Sequence, residues 1–289
     1  MLPMVTVIVP VLNGAATLAQ CLESLQRLDY PVERREIVVV DNGSTDGTDR
    51  VLAASSREII VEHEARRGPG AARNRGLARA AGDIVAFTDA DCTVDPAWLR
   101  KLIVPLQDRG VGISGGAIHA AEPSNAVQRF GDNIHDHRDA IEVCRPPYAI
   151  TMNWASRREV IQDAGGFDPR FRRCEDVDLA YRLQQHGYRL AFVPDAVVYH
   201  RHVATLSALF GKGFAHGLHS VHALKAHRAF VRPFGHRQVN PRSYVELAAA
   251  CGRALRRAHR PAAACECAFN VGKKLGKVAG SIRHAYVEL

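Results

Sequence analysis

The sequence lacks any stretch of the roughly 18–20 consecutive apolar residues that a membrane-spanning helix needs. It also lacks a basic leader with a small-residue cleavage site. Met1-Leu2-Pro3-Met4 runs straight into VTVIVPVL, so no secretory signal is expected. The seven cysteines, at 21, 92, 144, 174, 251, 265 and 267, form no CxxC pair. That argues against a zinc ribbon or a thioredoxin-type motif and fits reduced thiols in a cytoplasmic protein. Cys251 with Cys265-Glu266-Cys267 could hold a metal, but an Ala/Cys-rich helix is the simpler reading. Aromatic residues are only 7%, which leaves little for stacking on nucleic-acid bases.

What is present describes a globular protein. A chain of 289 residues allows one large domain, or a large one and a small one. Apolar residues at 47% and charged residues at 24% are ordinary for a folded chain. Lys and Arg number 38 against 30 Asp and Glu, a net charge of +8, which points to an anionic partner. The excess is not spread evenly. After residue 200 there are 15 Lys/Arg and 3 Asp/Glu, a net of +12, so the first 200 residues carry −4. The basic character belongs to the tail, in Arg253, Arg256, Arg257 and Arg260 and in Lys273, Lys274 and Lys277. With Leu247, Ala250 and Leu255 on an apolar side, it reads as a solvated helix face or as an amphipathic helix on anionic lipid.

The first 200 residues alternate strand and helix signals. Apolar runs at 5–10, 36–41, 58–64, 83–89 and 111–118 predict strands, with further strands near 149–154, 189–193 and 197–200. Helical spacing or propensity covers 17–28, 47–54 (capped by Asp46), 70–81, 97–106 behind Pro96, 156–164 and 175–186. Residues 119–150, with His135 and His137, read as a loop plus a helix. Beyond about 205 strand signals end and helical propensity prevails. The expectation is an α/β fold with a parallel sheet over 1–204, followed by a basic, mostly helical segment over 205–289.

Ligands in such sheets bind at the carboxyl ends of strands. Four strand ends here carry polar groups: Pro10…Asn13, Asp41-Asn42-Gly43-Ser44, Asp89-Ala90-Asp91 and His200. Asp41 alone could be a turn residue. Asp89 and Asp91, one residue apart after a buried strand, would repel unless a cation or donors sit between them, and a divalent metal is a natural solution. Gly68-Pro69-Gly70-Ala71-Ala72-Arg73-Asn74 is a glycine-rich, basic helix entry suited to phosphate, or simply a helix start with an exposed arginine. It is not the dinucleotide fingerprint, which would directly follow the first strand. Glu175-Asp176-Val177-Asp178 sets three acids at a helix start, where the dipole favours them and where one can serve as a base.

Taken together, VIVPVLNGAATLAQCLESL (7–25), IVVVDNGSTDGT (37–48), RGPGAARNRGLARAAGDIVAFTDADC (67–92), GGFDPRF (165–171), CEDVDLAYRLQQHGYRL (174–190) and VYH (198–200) resemble an inverting family-2 glycosyltransferase of the GT-A fold. The resemblance covers roughly residues 4–205. It implies a Rossmann-like, mainly parallel sheet and a nucleotide-sugar donor, a UDP-sugar by family frequency, with GDP-mannose and dTDP-rhamnose as alternatives. It implies Pro10 and Asn13 against the nucleotide, Asp41 on the base, Arg73 by the base and diphosphate, and Asp89 on the ribose or sugar, all at matching positions. Asp91 would bind Mg2+ or Mn2+, with Asp89 beside it and His200 as a weaker ligand candidate. Asp176 matches the general base, and Glu175 would organise acceptor or donor. Asn153 and Trp154 fall on the acceptor side, although Trp154 fits a buried core role equally well. The acceptor would be a glycan or a lipid-linked saccharide, met in the cytoplasm or at the inner face of the cell membrane. A nucleotidyltransferase would need a basic loop after the first strand, and PVLNGAAT has none. A non-catalytic carbohydrate- or lipid-binding module would have lost the acidic pairs, and both are intact. Nucleic acid is not an expected partner.

Overall fold

The computed structural model describes residues 2–55, 58–235, 245, 247–249, 251, 252 and 261–286. Two compact units emerge: Met1–Ala121 with His135–His200, and Glu122–Ile134 with Arg201–Leu289. The sequence boundary near 204 lies close to the second unit's main start at Arg201. Residues 122–134, read as part of a loop and helix, fold with that second unit.

The first unit is an eight-stranded sheet: β1 (Val5–Val11), β2 (Arg35–Asp41), β3 (Ile59–His63), β4 (Ile84–Phe87), β5 (Cys92–Val94), β6 (Val111–Ala120), β7 (Trp154–Arg157) and β8 (Arg189–His200). Their order is β3-β2-β1-β4-β7-β6-β8-β5. The β3-β2-β1-β4 half is parallel, and β7 enters antiparallel to both β4 and β6. Helices α1 (Leu18–Gln26), α2 (Thr48–Ala53), α3 (Pro69–Arg79), α4 (Trp98–Leu102), α6 (Arg158–Asp163) and α7 (Glu175–Gln185) belong to this unit, and α5 (Ala126–Ile134) to the other. A strand covered on both faces needs apolar residues at nearly every position, as VTVIVPV of β1 has. Val5, Val7, Val9 and Val11 enter one core with Leu18, Leu22 and Leu25 of α1 and Trp98 of α4. Ile8 enters the other with Leu77 of α3, Ile161 of α6 and Leu179 and Leu183 of α7. Each such side chain fully buried contributes about 1.5–3 kcal/mol. Gly76 lets α3 settle on β1, since a Cβ there would sit 2.5 Å from Ile8 Cγ2.

Several elements differ from the sequence reading. The strand expected near 149–154 is a 3-10 turn at Thr151–Asn153 followed by β7. The two strands expected at 189–193 and 197–200 are one, β8, which follows β6 through two irregularities in register. The helix expected over 97–106 ends at Leu102, and a 3-10 turn carries Pro105, which an α-helix interior would not accommodate. Helix α2 is preceded by Gly47 in the left-handed region, while the Asp46 carboxylate accepts from the Thr48 N–H (3.1 Å) and hydroxyl (2.6 Å) and from the Ala15 N–H (3.0 Å). Strand β5 had no counterpart in the sequence reading, because three residues are too few to show a period.

The second unit contains α5, α8 (Leu206–Ala226) and α9 (Pro261–His284). Its core joins Leu209, Cys265 and Phe269 with Val127, Phe130, Ile134 and Val203. Helices α8 and α9 run parallel and meet at glycines. A Cβ on Gly213, Gly217, Gly272 or Gly276 would lie 2.0–2.3 Å from a backbone carbonyl of the other helix. No helix among the described residues is long and apolar enough to cross a membrane. Arg253, Arg256, Arg257 and Arg260 of the predicted basic cluster, with Ala250 and Leu255, lie outside the described residues.

Candidate active site

A groove of about 300 Å³ opens at the carboxyl ends of β1, β2 and β4, lined by Pro10, Asn13, Asn42, Gly68, Arg73, Asp89 and Asp91 among others. A larger cavity, about 610 Å³, lies at the other end of these strands, beside Pro3 ahead of β1 and Asp83 ahead of β4, and holds none of the predicted site residues.

Side chains pin the loops around the groove. Asn13 adopts a φ of 57°. Its N–H donates to Ser44 Oγ (2.9 Å) and its Oδ1 accepts from the Thr45 N–H (2.9 Å), joining the loops after β1 and β2. Asp41 Oδ1 accepts from the Ser44 N–H (3.0 Å) and hydroxyl (2.6 Å), and its Oδ2 lies 3.6 Å from His63 Nδ1. Much of that carboxylate is therefore engaged in turn chemistry. Asn42, to which sequence reasoning assigned no role, fixes the glycine-rich loop. Its Oδ1 accepts from the Gly68 N–H, and its Nδ2 donates to the carbonyls of Glu64 and Arg66, all at 2.8 Å. An Asn flanking an Asp at a strand end was the available signal.

Arg73 is not an exposed arginine. Buried on α3, it donates from Nη1 to Glu175 (2.5 Å) and from Nη2 to Asp89 (2.9 Å), and its guanidinium lies 5.7 Å from the centre of the Phe167 ring. It thus joins the Asp pair after β4 to the acid pair opening α7. A buried charge is tolerable when paired and hydrogen-bonded, and two carboxylates do both. The carboxylates hold the guanidinium charged against its own desolvation.

The three acids of α7 separate by their partners. Asp178 is tied to Arg182 at 2.6 Å, and Arg182 also donates to the carbonyl of Gly166, so this acid staples the helix to the preceding turn. Glu175 is buried against Arg73, and burial pushes its carboxyl up to about 7 although the guanidinium opposes the shift. Asp176 is held by the N–H of Val177 (2.8 Å) and by Thr151, whose N–H lies at 3.4 Å. Burial raises its pKa too, with Arg73 acting the other way. A raised carboxylate is a stronger base once ionised.

Pairing of β5 with β8 sets Cys92 opposite His200 and brings His200 Nε2 within 3.3 Å of Asp91. The carboxylate of Asp91 is 44% exposed and faces the groove, whereas His200 is buried. A carboxylate oxygen and an imidazole nitrogen at this separation suit a shared divalent cation, so these two residues fit the expected metal.

Asn153 and Trp154 are a correction. Both are fully buried. Asn153 accepts from Trp98 Nε1 (2.7 Å) and donates to the carbonyls of Ala117 and Ala196 (2.7 and 2.9 Å). Trp154 packs on Phe87 at 4.7 Å and Phe167 at 6.0 Å. Neither presents a face on which an acceptor sugar could lie. The core reading of Trp154 prevails because β7 is an interior strand.

Comparison with solved structures defines the class. The chain superposes on the mannosyltransferase PcManGT of Pyrobaculum calidifontis, solved with GDP-Man and Mn2+, with a TM-score of 0.64 at 23% identity, covering 98% of this chain and 87% of that one. For residues 1–349 of S. aureus TarS, solved with UDP, the TM-score is 0.55 at 18% identity, over 98% and 92%. The fold is therefore the GT-A glycosyltransferase fold. The family model for glycosyl transferase family 2 matches residues 6–166, and the chain belongs to that family; it is a glycosyltransferase. Glycosyltransferase AglE of Haloferax volcanii is 33% identical over 206 residues, 69% of this chain and 67% of that protein. The pre-mycofactocin glycosyltransferase of Mycobacterium tuberculosis is 34% identical over 209 residues, 68% of this chain but 43% of its own length. The chain thus spans about two thirds of one relative and under half of the other.

Proposed function

We propose that this protein transfers a sugar from a nucleoside diphosphate sugar, first of all a UDP-sugar, to a hydroxyl of a glycan or lipid-linked saccharide, inverting the anomeric carbon. The observation that carries this reading is the Arg73 bridge, which ties Asp89 in the groove to Glu175 beside Asp176. Pro10 and Asn13, which line the groove, would border the nucleotide, with Asp41 at the end of β2 on the base, and Asn42 holds the glycine-rich loop beside the groove. Asp176 accepts the proton of the acceptor hydroxyl. The freed oxygen bonds to the anomeric carbon as the bond from that carbon to the diphosphate oxygen breaks. The electron pair leaves with the nucleoside diphosphate. Glu175, pinned by Arg73, keeps the guanidinium in place for Asp89 and so organises the donor side. Asp91 and His200 would hold Mn2+ or Mg2+, which when bound offsets the negative charge of the diphosphate.

Asp176→Asn is expected to lower turnover by about 10²–10⁴-fold, with nucleotide affinity by calorimetry nearly unchanged. Turnover near that of the wild type would remove Asp176 from the role of base. Nucleoside-diphosphate release across UDP-, GDP- and dTDP-sugars, followed by NMR of the product's anomeric configuration, tests donor and stereochemistry together.

The tail supports a second element of the reading, contact with an anionic membrane surface. Leu275, Val278 and Ile282 recur at helical spacing on α9 and are 50%, 48% and 79% exposed. Lys273 and Lys274 accompany them, and burial beside these lysines lowers Lys277 to about 8. An exposed apolar stripe among cations is the pattern of a helix lying at a lipid surface.

A further inference from the structure

The thiols of Cys251 and Cys265-Glu266-Cys267 play no part in the groove. In the helical unit two of them meet: Cys251 Sγ lies 2.8 Å from Cys267 Sγ, although the residues are sixteen positions apart. A disulfide bond is about 2.05 Å long, so a small side-chain rotation would bring these sulfurs into bonding range. Both cysteines are free and partly exposed, and a small oxidant in solution can reach them.

The other thiols set the contrast. Cys265, two residues before Cys267 on α9, is 1% exposed and packs with Leu209 and Phe269. A helix turns by about 200° over two residues, so Cys267 faces away from that core. Cys21 and Cys92 are buried in the sheet unit. A zinc ion with Zn–S bonds of about 2.3 Å would hold two thiolates about 3.8 Å apart, and a third thiolate would have to come from the buried Cys265. The pair therefore suits a bond between its own sulfurs better than a shared metal. Burial, and after it the contact with Cys251, pushes the Cys267 thiol up to about 11. It stays protonated at neutral pH, which makes it the resolving sulfur and leaves the first attack to Cys251.

We propose that Cys251 and Cys267 form a redox modification site, closing into a reversible disulfide on reaction with a small-molecule disulfide such as oxidised glutathione. The Cys251 sulfur attacks one sulfur of the oxidant. A mixed disulfide forms, and the other half of the oxidant leaves as a thiol with the Cys251 proton. Cys267 then attacks the Cys251 sulfur, its proton goes to the second departing half, and the Cys251–Cys267 bond replaces the mixed one. Two protein thiols are oxidised and the oxidant is reduced to two thiols. In the cytoplasm such bonds are transient and serve redox sensing. This one ties together the two ends of the segment that carries Arg253, Arg256, Arg257 and Arg260.

The test exposes the reduced full chain to oxidised glutathione, quenches it in acid and maps its disulfides by mass spectrometry without reduction. Cys251 and Cys267 should leave the free-thiol pool together, linked to each other, and dithiothreitol should return both. In Cys267→Ser the closing step is lost, and glutathione should stay on Cys251. A wild type that keeps both thiols free, retains glutathione on Cys251, or links either cysteine to another partner would overturn the proposal. So would equal yields of the Cys251–Cys267 bond from the folded chain and from chain unfolded in guanidinium, since the fold would then contribute nothing. The mapping is made on the wild type, so it decides even if Cys267→Ser fails to fold.

Discussion

The two units bury opposite things. In the sheet unit the interior takes in charge: Arg73 lies between Asp89 and Glu175, and Arg157 donates to the backbone carbonyls of Leu106, Arg109 and Val111. In the helical unit the contact between α8 and α9 takes in backbone, through Gly213, Gly217, Gly272 and Gly276, and leaves Leu275, Val278 and Ile282 in solvent. The sheet unit belongs to the part of the chain with a net charge of −4, the helical unit mostly to the part with +12. The candidate site therefore sits where net charge is unremarkable, and its mark is charge held in the interior. Net charge describes solubility and partners, whereas buried charge has to be compensated by design of the fold.

This contrast can be broken from either side. The largest effect is expected from Arg73→Ala. Removing one partner from a buried pair leaves Glu175 uncompensated and should cost about 3 kcal/mol, read by urea unfolding. A loss under about 1 kcal/mol would mean that the bridge is no more than a surface-grade pair. Next comes Gly276→Ala, whose Cβ would lie 2.0 Å from the Phe214 carbonyl oxygen, so the helices must part. It should cost about 1–3 kcal/mol. Gly211→Ala on the partner helix α8 meets nothing within 4 Å and should stabilise by about 0.5–1 kcal/mol. Equal thermal shifts for the two would refute the close-packed seam. The smallest change in stability, within about 0.5 kcal/mol, is expected for Leu275→Asp with Ile282→Asp. Flotation of that double variant on vesicles of anionic lipid should nevertheless fall well below the wild type. Undiminished flotation would place any lipid contact elsewhere.

How legible the site was depends on the range of the interactions involved. The strand ends at Pro10, Asp41 and Asp89 could be read directly, since an apolar run followed by polar residues is a local pattern. The Glu-Asp pair at the start of α7 could be read for the same reason. Asn153 and Trp154 were misplaced because their environment depends on β7 entering antiparallel between β4 and β6, which no local period announces. The distinct fates of Glu175, Asp176 and Asp178 also escaped the sequence. All three sit in one helical turn, and the residues that separate them, Arg73, Thr151 and Arg182, come from three different places in the chain.

By itself the sequence determined the α/β class, the order of most elements, the family and the segregation of positive charge into the tail. These follow from periodicity, motif and composition, all of which are properties of neighbours along the chain. Only the tertiary structure decided how the acids of α7 divide among Arg73, Thr151 and Arg182, that His200 comes within 3.3 Å of Asp91, and that Arg73 is an internal bridge. Those outcomes rest on strand pairing, such as the three residues of β5 against β8, and on desolvation. Both depend on which distant residues are brought together, and so they exist only once the chain has folded.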